Sequence, residues 1–373
     1  MLNRREFVKR TLSAGLVMGA GSMCYGCSGL TRRDMSAFQE TNGPVPVLDS
    51  TTKTILYHAG LAPSGHNSQP WRVRVERADL WIVEADAERR LPAVDPENRE
   101  CLLSLGAFVE NLSLAAGAMG WETDMQVMAR ARHDRDVVRV TLRKGRPTRY
   151  PLGRIKARRT VKNGLLPREI AVSQVKTLSQ RTGGRLFYFP RGSKHAACIR
   201  DAAVETYRIQ ARRDDAQEEL VRWLRLSDRD ARRYRDGLSA EGMEIRGFKG
   251  WFVRHFVKPE DFLKDAYRKQ GLDMTAKLAQ QGGGWFVITS PGHTVPDLIE
   301  TGRRFERMAL LAREYGIAIH PMTQILEEES GLAQIVQHHG SDLFPQFVLR
   351  VGYLEKYPEP VSLRRPVDWF VYR

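Results

Sequence analysis

A chain of 373 residues with 42% hydrophobic content carries enough apolar surface for one large domain or two of ordinary size, which excludes a disordered or fibrous protein. The formal net charge of +15 raises nucleic acid or an anionic surface as a partner, yet the charge is concentrated: residues 130–168 hold fourteen Lys and Arg against Asp134 and Asp136. No aromatic interleaving or nucleic-acid-binding motif accompanies that stretch, so nucleic acid is not expected as a partner.

The chain begins with Asn3-Arg4-Arg5-Glu6-Phe7-Val8-Lys9-Arg10 and an apolar run from Thr11 to Met23, the form of a twin-arginine export signal. Thirteen residues suit the apolar region of a signal, whereas a bilayer-spanning helix needs about 20. No later segment is expected to be long and apolar enough to span. The expected location is therefore the periplasm, or the outer side of a membrane with a tether. Cys27 follows Gly26 as at a lipoprotein cleavage site, although Cys24 stands where an aliphatic residue is expected, so Cys27 is a candidate lipid tether. Cys24 and Cys27 have C-x-x-C spacing, to which a removable signal gives no redox role. Cys101 and Cys198 are the other two cysteines, too few for a disulfide scaffold.

Residues 1–27 are read as the signal region and 28–46 as a linker; 47–150 form a first module and 151–373 a second. Within the first, a helix is expected over 50–61 and a hairpin over 71–75 and 80–83, then a helix over 102–119 and a strand over 137–142. The second has expected strands at 185–189, 285–289 and 347–353, with a helix over 299–315. Residues 201–281 form a mainly helical insertion containing Trp223, Trp251 and Phe252, expected to act as a lid. Its stretch 205–236 sets nine Arg against eight Asp and Glu, the pattern of a solvated, ion-paired face. An internal repeat links the halves: Gly106 and Gly120 lie fourteen apart, as do Gly302 and Gly316, and each pair frames an amphipathic helix ending at a C-cap glycine. The two helices are expected to meet in a shared core.

Three segments have the residue types to hold an anionic, planar ligand. The loop Ala62-Pro63-Ser64-Gly65-His66-Asn67-Ser68-Gln69-Pro70-Trp71 combines a tight turn with side chains able to read a ring edge. Arg158-Arg159-Thr160-Val161-Lys162 places Arg158, Thr160 and Lys162 toward one anion, and Arg364-Arg365 can close on the same phosphate. His66 and His320 are read as hydrogen-bonding struts rather than proton donors.

Together these segments resemble the nitroreductase-like FMN proteins, in particular the Acg-type branch with a twin-arginine signal and a fused double module. The resemblance covers roughly residues 50–373 and rests on the Pro63-to-Trp71 loop, with Arg158-x-Thr160-x-Lys162 in support. It implies an α+β fold of two tandem modules forming an intramolecular pseudo-dimer, and FMN as cofactor. Pro63, Ser64, His66, Asn67 and Gln69 would then lie by the flavin ring and ribityl chain. Arg158, Thr160, Lys162, Arg364 and Arg365 would surround the phosphate, and Pro321, Met322 or Thr323 would bring a backbone N–H to the flavin N5. The loop occurs only in the first half and the basic segment only in the second, so one composite site is expected. The expected activity is FMN-dependent oxidation–reduction on an unidentified small molecule, with a quinol or redox protein as candidate donor. A flavin-sequestering protein with little turnover is the alternative.

Overall fold

The computed structural model describes residues 29–35, 48–339 and 344–373; the twin-arginine stretch and Cys27 lie outside them. The first half opens with α1 (Ser50–Ala59), which Asp49 caps by accepting from the Thr51 and Thr52 N–H groups, both at 2.9 Å. It continues through β1 (Trp71–Arg77), β2 (Leu80–Ala85), α2 (Arg99–Ala118), β3 (Trp121–Val127) and β4 (Asp136–Lys144). A short helix α3 (Gly153–Ala157) leads to α4 (Val172–Arg181) and β5 (Leu186–Pro190). The insertion comprises α5 (Lys194–Arg212), α6 (Asp214–Trp223), β6 (Leu224–Arg225), α7 (Asp228–Tyr234), β7 (Leu238–Ser239), α8 (Gly247–Phe256) and α9 (Asp265–Ala279). The second half closes with β8 (Gly284–Ser290), α10 (Val295–Glu314), β9 (Ile317–Pro321), α11 (Glu329–His339), β10 (Phe344–Tyr353) and β11 (Val371–Tyr372).

The two sheets repeat one topology. In the first the order is β11-β1-β2-β4-β3, and in the second β5-β8-β10-β9, so β1, β2, β3 and β4 correspond to β5, β8, β9 and β10. All pairs within these two sets of four are antiparallel. A helix, α2 or α10, connects the second and third strands in each set. The expected α+β double module is the architecture observed. The chain's end crosses back to the first sheet, where β11 pairs in parallel with β1 through Val73 opposite Val371.

The helices α2 and α10 pack directly on each other. A Cβ on Gly106 would stand 2.2 Å from the Ile299 carbonyl oxygen, and one on Gly302 would stand 2.1 Å from that of Leu103. The repeat glycines therefore face each other across the crossing, which no larger residue permits. Ion pairs flank it: Glu110 on α2 accepts from Arg303 at 3.0 Å and Arg307 at 2.7 Å on α10. The other two repeat glycines end their helices with positive φ, 81° at Gly120 and 71° at Gly316.

Two expectations change. By length and composition α2 could cross a membrane, with a mean hydropathy of 1.5, but 78% of that stretch is buried in the core, so its apolarity is that of a helix surrounded by protein. The charge-balanced stretch 205–236 is only partly a solvated face. Glu219 is buried and accepts from the Ala93 and Val94 N–H groups, Arg213 donates to the Ala93 carbonyl, and Asp236 is held by Arg225 at 2.9 Å and Arg89 at 2.7 Å. These charges fasten the insertion to the first module.

Replacing Gly106 or Gly302 by Val is expected to push the crossing helices apart and cost about 1–3 kcal/mol or more. Thermal denaturation should show a lowered midpoint for either variant, with Gly117→Ala, which meets only the Thr148 side chain at 3.2 Å, changing it far less.

Candidate functional site

Beside the α2–α10 crossing lies a cavity of about 300 Å³, at the lower end of the range of small-molecule sites. Both halves line it. From the first come Pro63, Ser64, Gly65, His66 and Asn67 of the loop and Leu103, Ser104 and Ala107 of α2. Arg158, Thr160, Lys162, His320, Pro321 and Thr323 come from the second, with Phe305 and Phe347 stacked 4.2 Å apart at an interplanar angle of 14°. Gly237, Leu238 and Ser239 of the insertion and Arg364 of the C-terminal segment complete it.

The loop is held in an unusual conformation. His66, Asn67 and Gln69 all have positive φ, at 48°, 53° and 54°, a region costly for residues with a Cβ unless surrounding bonds fix it. Here they do. The Gln69 N–H donates to Ser64 Oγ at 2.9 Å, and Asn67 Nδ2 donates to the carbonyls of Gly237 and Leu363. Gln69 spans between Arg235, whose carbonyl accepts from its amide at 3.1 Å, and the Arg365 N–H, which donates to its Oε1 at 2.9 Å. Gly237 itself, at φ 68°, passes so close to the Trp223 carbonyl that a Cβ would stand 2.2 Å away.

The cationic end is built in layers. Arg158 pairs through Nε with Glu306 Oε1 at 3.2 Å and donates to the Leu61 carbonyl; Glu306 is wholly buried on α10. Burial pushes the Glu306 carboxyl up, while Arg158 and Arg364 pull it back. Arg364 donates to Asn67 Oδ1, Leu363 O, Leu61 O and Ala62 O, but its Nε has no hydrogen-bond partner. Burial holds its pKa well below the usual guanidinium value, and the neighbouring Arg32 and Arg158 charges add to that. The Lys162 ammonium makes no hydrogen bond or close ion pair among the described residues; burial lowers its pKa, and the more distant Glu244 charge pulls it partly back. A half-buried ammonium without a partner and a guanidinium with an orphaned N–H are suited to an anion.

Arg32 was not foreseen as a site residue. It falls in the stretch read as a linker, yet it lines the cavity and donates to the Lys156 carbonyl at 2.5 Å. Glu100 and Glu327 were missed as well. They face each other from the two halves, Glu327 accepting from Gln210 at 2.6 Å, and burial beside Glu100 raises the Glu327 pKa well above the usual carboxylate range. Burial and the neighbouring carboxylate thus favour the protonated form of Glu327. Single acidic residues carry no pattern in the sequence, so no motif points to them.

Three expected site residues are turned away from the cavity. Gln69 and Arg365 brace its wall: the Arg365 guanidinium donates to the carbonyls of Gln69 at 2.6 Å and Trp71 at 2.7 Å. Met322 is buried in the core, and its N–H is taken by the Val348 carbonyl at 2.9 Å. Thr323 opens a short 3-10 turn, a position whose N–H has no partner within the turn, and it lines the cavity. Trp223, Trp251 and Phe252 do not line it either.

The histidines are neutral. His66 is pushed down to about 4 by burial and by the Lys162 charge. His320 lies well below its ordinary value, from burial and then from Arg350 and Lys162. The Arg350 Nη2 group can only donate, so His320 Nδ1 accepts at 3.0 Å and the ring keeps its proton on Nε2. A lowered folded pKa means that the unfolded chain binds more protons between about 4 and 6.5, so the His66 contribution is full above pH 6.5 and is lost on acidification to pH 4. Relative to His66→Asn, which tolerates the same φ, the wild type should lose up to about 1.4 kcal/mol of stability per pH unit across that window. Parallel pH dependences in chemical denaturation would contradict a buried neutral His66.

No family model matches the chain. Among known proteins, "Putative NAD(P)H nitroreductase acg" of Mycobacterium tuberculosis is 24% identical over 345 residues, 86% of this chain and 95% of that protein. An uncharacterized protein of the same organism is 24% identical over 351 residues, covering 85% and 91%. "Probable NAD(P)H nitroreductase PigM" of a Serratia species is 24% identical over 318 residues, covering 79% and 86%. Among solved structures, a nitroreductase-like family protein from Bacillus cereus aligns at a TM-score of 0.35 and 12% identity over 60% of this chain and 95% of its own. The FMN-dependent nitroreductase NfnB of Mycobacterium smegmatis, solved with NADPH, aligns at 0.34 and 12% over 55% and 91%. The sequence relationship runs through both halves and nearly the full length of the relatives.

Proposed function

We propose that this relative of the nitroreductase-like Acg-type proteins is an FMN-dependent oxidoreductase with one flavin site, formed between its two halves. The observation that carries the reading is the cavity itself, where a loop unique to the first half meets unpartnered basic groups unique to the second. The residues present fit the cofactor. Lys162, Arg364, Arg158 and Arg32 would hold the phosphate, with Thr160 adding a hydroxyl; Ser64, His66 and Asn67 would meet the ring edge and ribityl chain. Phe305, Phe347, Leu103 and Ala107 supply apolar surface for a planar ring. FMN, when bound, supplies the electron transfer.

The chain's own groups do the rest. The free Thr323 N–H and the His320 Nε2–H are donors that would stabilise negative charge near the ring. Glu327, whose protonated form is favoured beside Glu100 on the cavity wall, would be a proton source where reduction of an organic acceptor consumes one. Gly237, Leu238 and Ser239 of the insertion form part of the cavity's wall and would limit water there once a ligand is bound.

Export by the twin-arginine route, with Cys27 as a membrane tether, rests on Arg4-Arg5 and on Gly26-Cys27. Reduced nicotinamide is a cytoplasmic donor, so an exported enzyme would draw electrons from a quinol or a redox protein. The insertion's part in the cavity wall favours a second reading, a flavin-holding protein with little turnover. Anaerobic addition of reduced nicotinamide or a quinol analogue separates the two: bleaching of the flavin absorbance supports the oxidoreductase.

Because the Lys162 ammonium has no hydrogen-bond or close ion-pair partner among the described residues, Lys162→Gln is expected to leave the melting temperature of the flavin-free protein unchanged while weakening FMN about 10–100-fold, the loss of one charge-assisted bond. Fluorescence titration with FMN measures this. An unchanged affinity would place the phosphate elsewhere.

A further inference from the structure

The insertion carries an aromatic face that the cavity does not use. On α8, Phe248, Phe252 and Phe256 follow one another at helical spacing, with Trp251 and His255 beside them. The rings form one continuous cluster: Phe248 lies 5.5 Å from Trp251, Trp251 5.5 Å from Phe256 and 5.1 Å from His255, and Phe252 5.2 Å from Phe256. Phe248 is 65% exposed and Phe256 55%, among the largest exposures of any apolar side chain in the described residues. The opposite face of the helix is the packed one. Arg254 is buried against Glu241 at 2.5 Å, and a Cβ on Gly250 would stand 2.5 Å from the Ile245 carbonyl. The aromatic side is thus held outward by the body of the protein.

Two further observations say what this face meets. Arg246, Lys249, His255 and Lys258 are exposed and flank the aromatic cluster in sequence; of the acidic groups nearest in sequence, Glu244 is paired with Arg159 at 3.0 Å and Asp261 with Lys264 at 2.5 Å, while Glu260 is exposed. An aromatic strip rimmed by cations is the pattern of a helix lying in the headgroup region of an anionic bilayer. The N-terminal segment also reaches α8, on its packed side: the Gly29 N–H donates to Glu241 Oε1 at 3.0 Å, and a Cβ on Gly29 would lie 2.8 Å from Arg254 Cδ. The apolar run 11–23 therefore ends only six residues before the chain arrives beside α8.

We propose that α8 is a membrane-docking helix that lays Phe248, Trp251, Phe252 and Phe256 into the surface of an anionic lipid bilayer. Lys249, Lys258 and Arg246 would meet the headgroups. The docked surface belongs to the same insertion that lends Gly237, Leu238 and Ser239 to the cavity wall.

The test uses the full chain and flotation with vesicles of phosphatidylcholine alone or mixed with phosphatidylglycerol. Wild type is expected to float with the mixed vesicles, and Phe248→Ser/Phe256→Ser to lower the bound fraction about tenfold or more at an unchanged melting temperature. Lys249→Glu/Lys258→Glu should weaken binding to mixed vesicles and leave any binding to phosphatidylcholine unaltered. With brominated acyl chains in the vesicles, tryptophan fluorescence should be quenched in the wild type and much less in Trp251→Phe. Equal flotation of the wild type and the double Phe variant would overturn the proposal and assign binding to the N-terminal segment. Absence of wild-type binding to either vesicle would also overturn it, as would a sedimentation shift from dimer to monomer in the Phe variant without any loss of vesicle binding, which would make the face a contact between copies.

Discussion

The close crossing of α2 and α10 decides where everything else in the molecule can lie. With Gly106 and Gly302 against each other, the two helix backbones approach to a distance that no side chain allows, and the helix of each half is joined to that of the other. The Glu110 pairs with Arg303 and Arg307 fix the helices against sliding, and Arg158 brings a cation to the wholly buried Glu306 on α10. A carboxylate with no exposure is tolerable only beside such charges, so the first layer of the cationic end is also a requirement of the core.

The halves are alike in topology and unlike in chemistry. Corresponding strands run in the same order, yet the strained loop belongs to the first half and the basic segment to the second. Two additions outside the repeat join them. The C-terminal segment leaves β10, passes Arg364 and Arg365 through the loop's carbonyls, and ends as β11 on the first sheet. From the insertion, Arg235 and Gly237 clamp Gln69 and Asn67. Two of the loop's three positive-φ side chains, Asn67 and Gln69, are thus held by parts of the chain well over a hundred residues away, which is how a costly conformation persists.

The repeat was legible because it rests on backbone requirements: glycines at a helix crossing and at helix ends leave a spacing that survives when side chains diverge. The loop was legible for the same reason. The strands β3 and β9 were not. β3 reads Trp-Glu-Thr-Asp-Met-Gln-Val, an edge strand partly exposed along its length, and β9 is five residues long and leads directly into the cavity wall. Arg32, Glu100 and Glu327 were hidden because their meeting depends on tertiary folding alone. Arg365 was visible as a cation, but sequence does not distinguish one that binds a ligand from one that satisfies the carbonyls of Gln69 and Trp71.

A composite site of this kind has a definite capacity. Each polypeptide contains one such loop, one basic segment with Arg158, Thr160 and Lys162, and one Arg364, and together they line a cavity between the halves. The most direct test is to reconstitute the purified chain with excess FMN, remove unbound flavin, and quantify what is released on denaturation against protein concentration. One flavin per polypeptide is the predicted result; a ratio near two, or no retained flavin at all, would contradict a single site shared by the two halves.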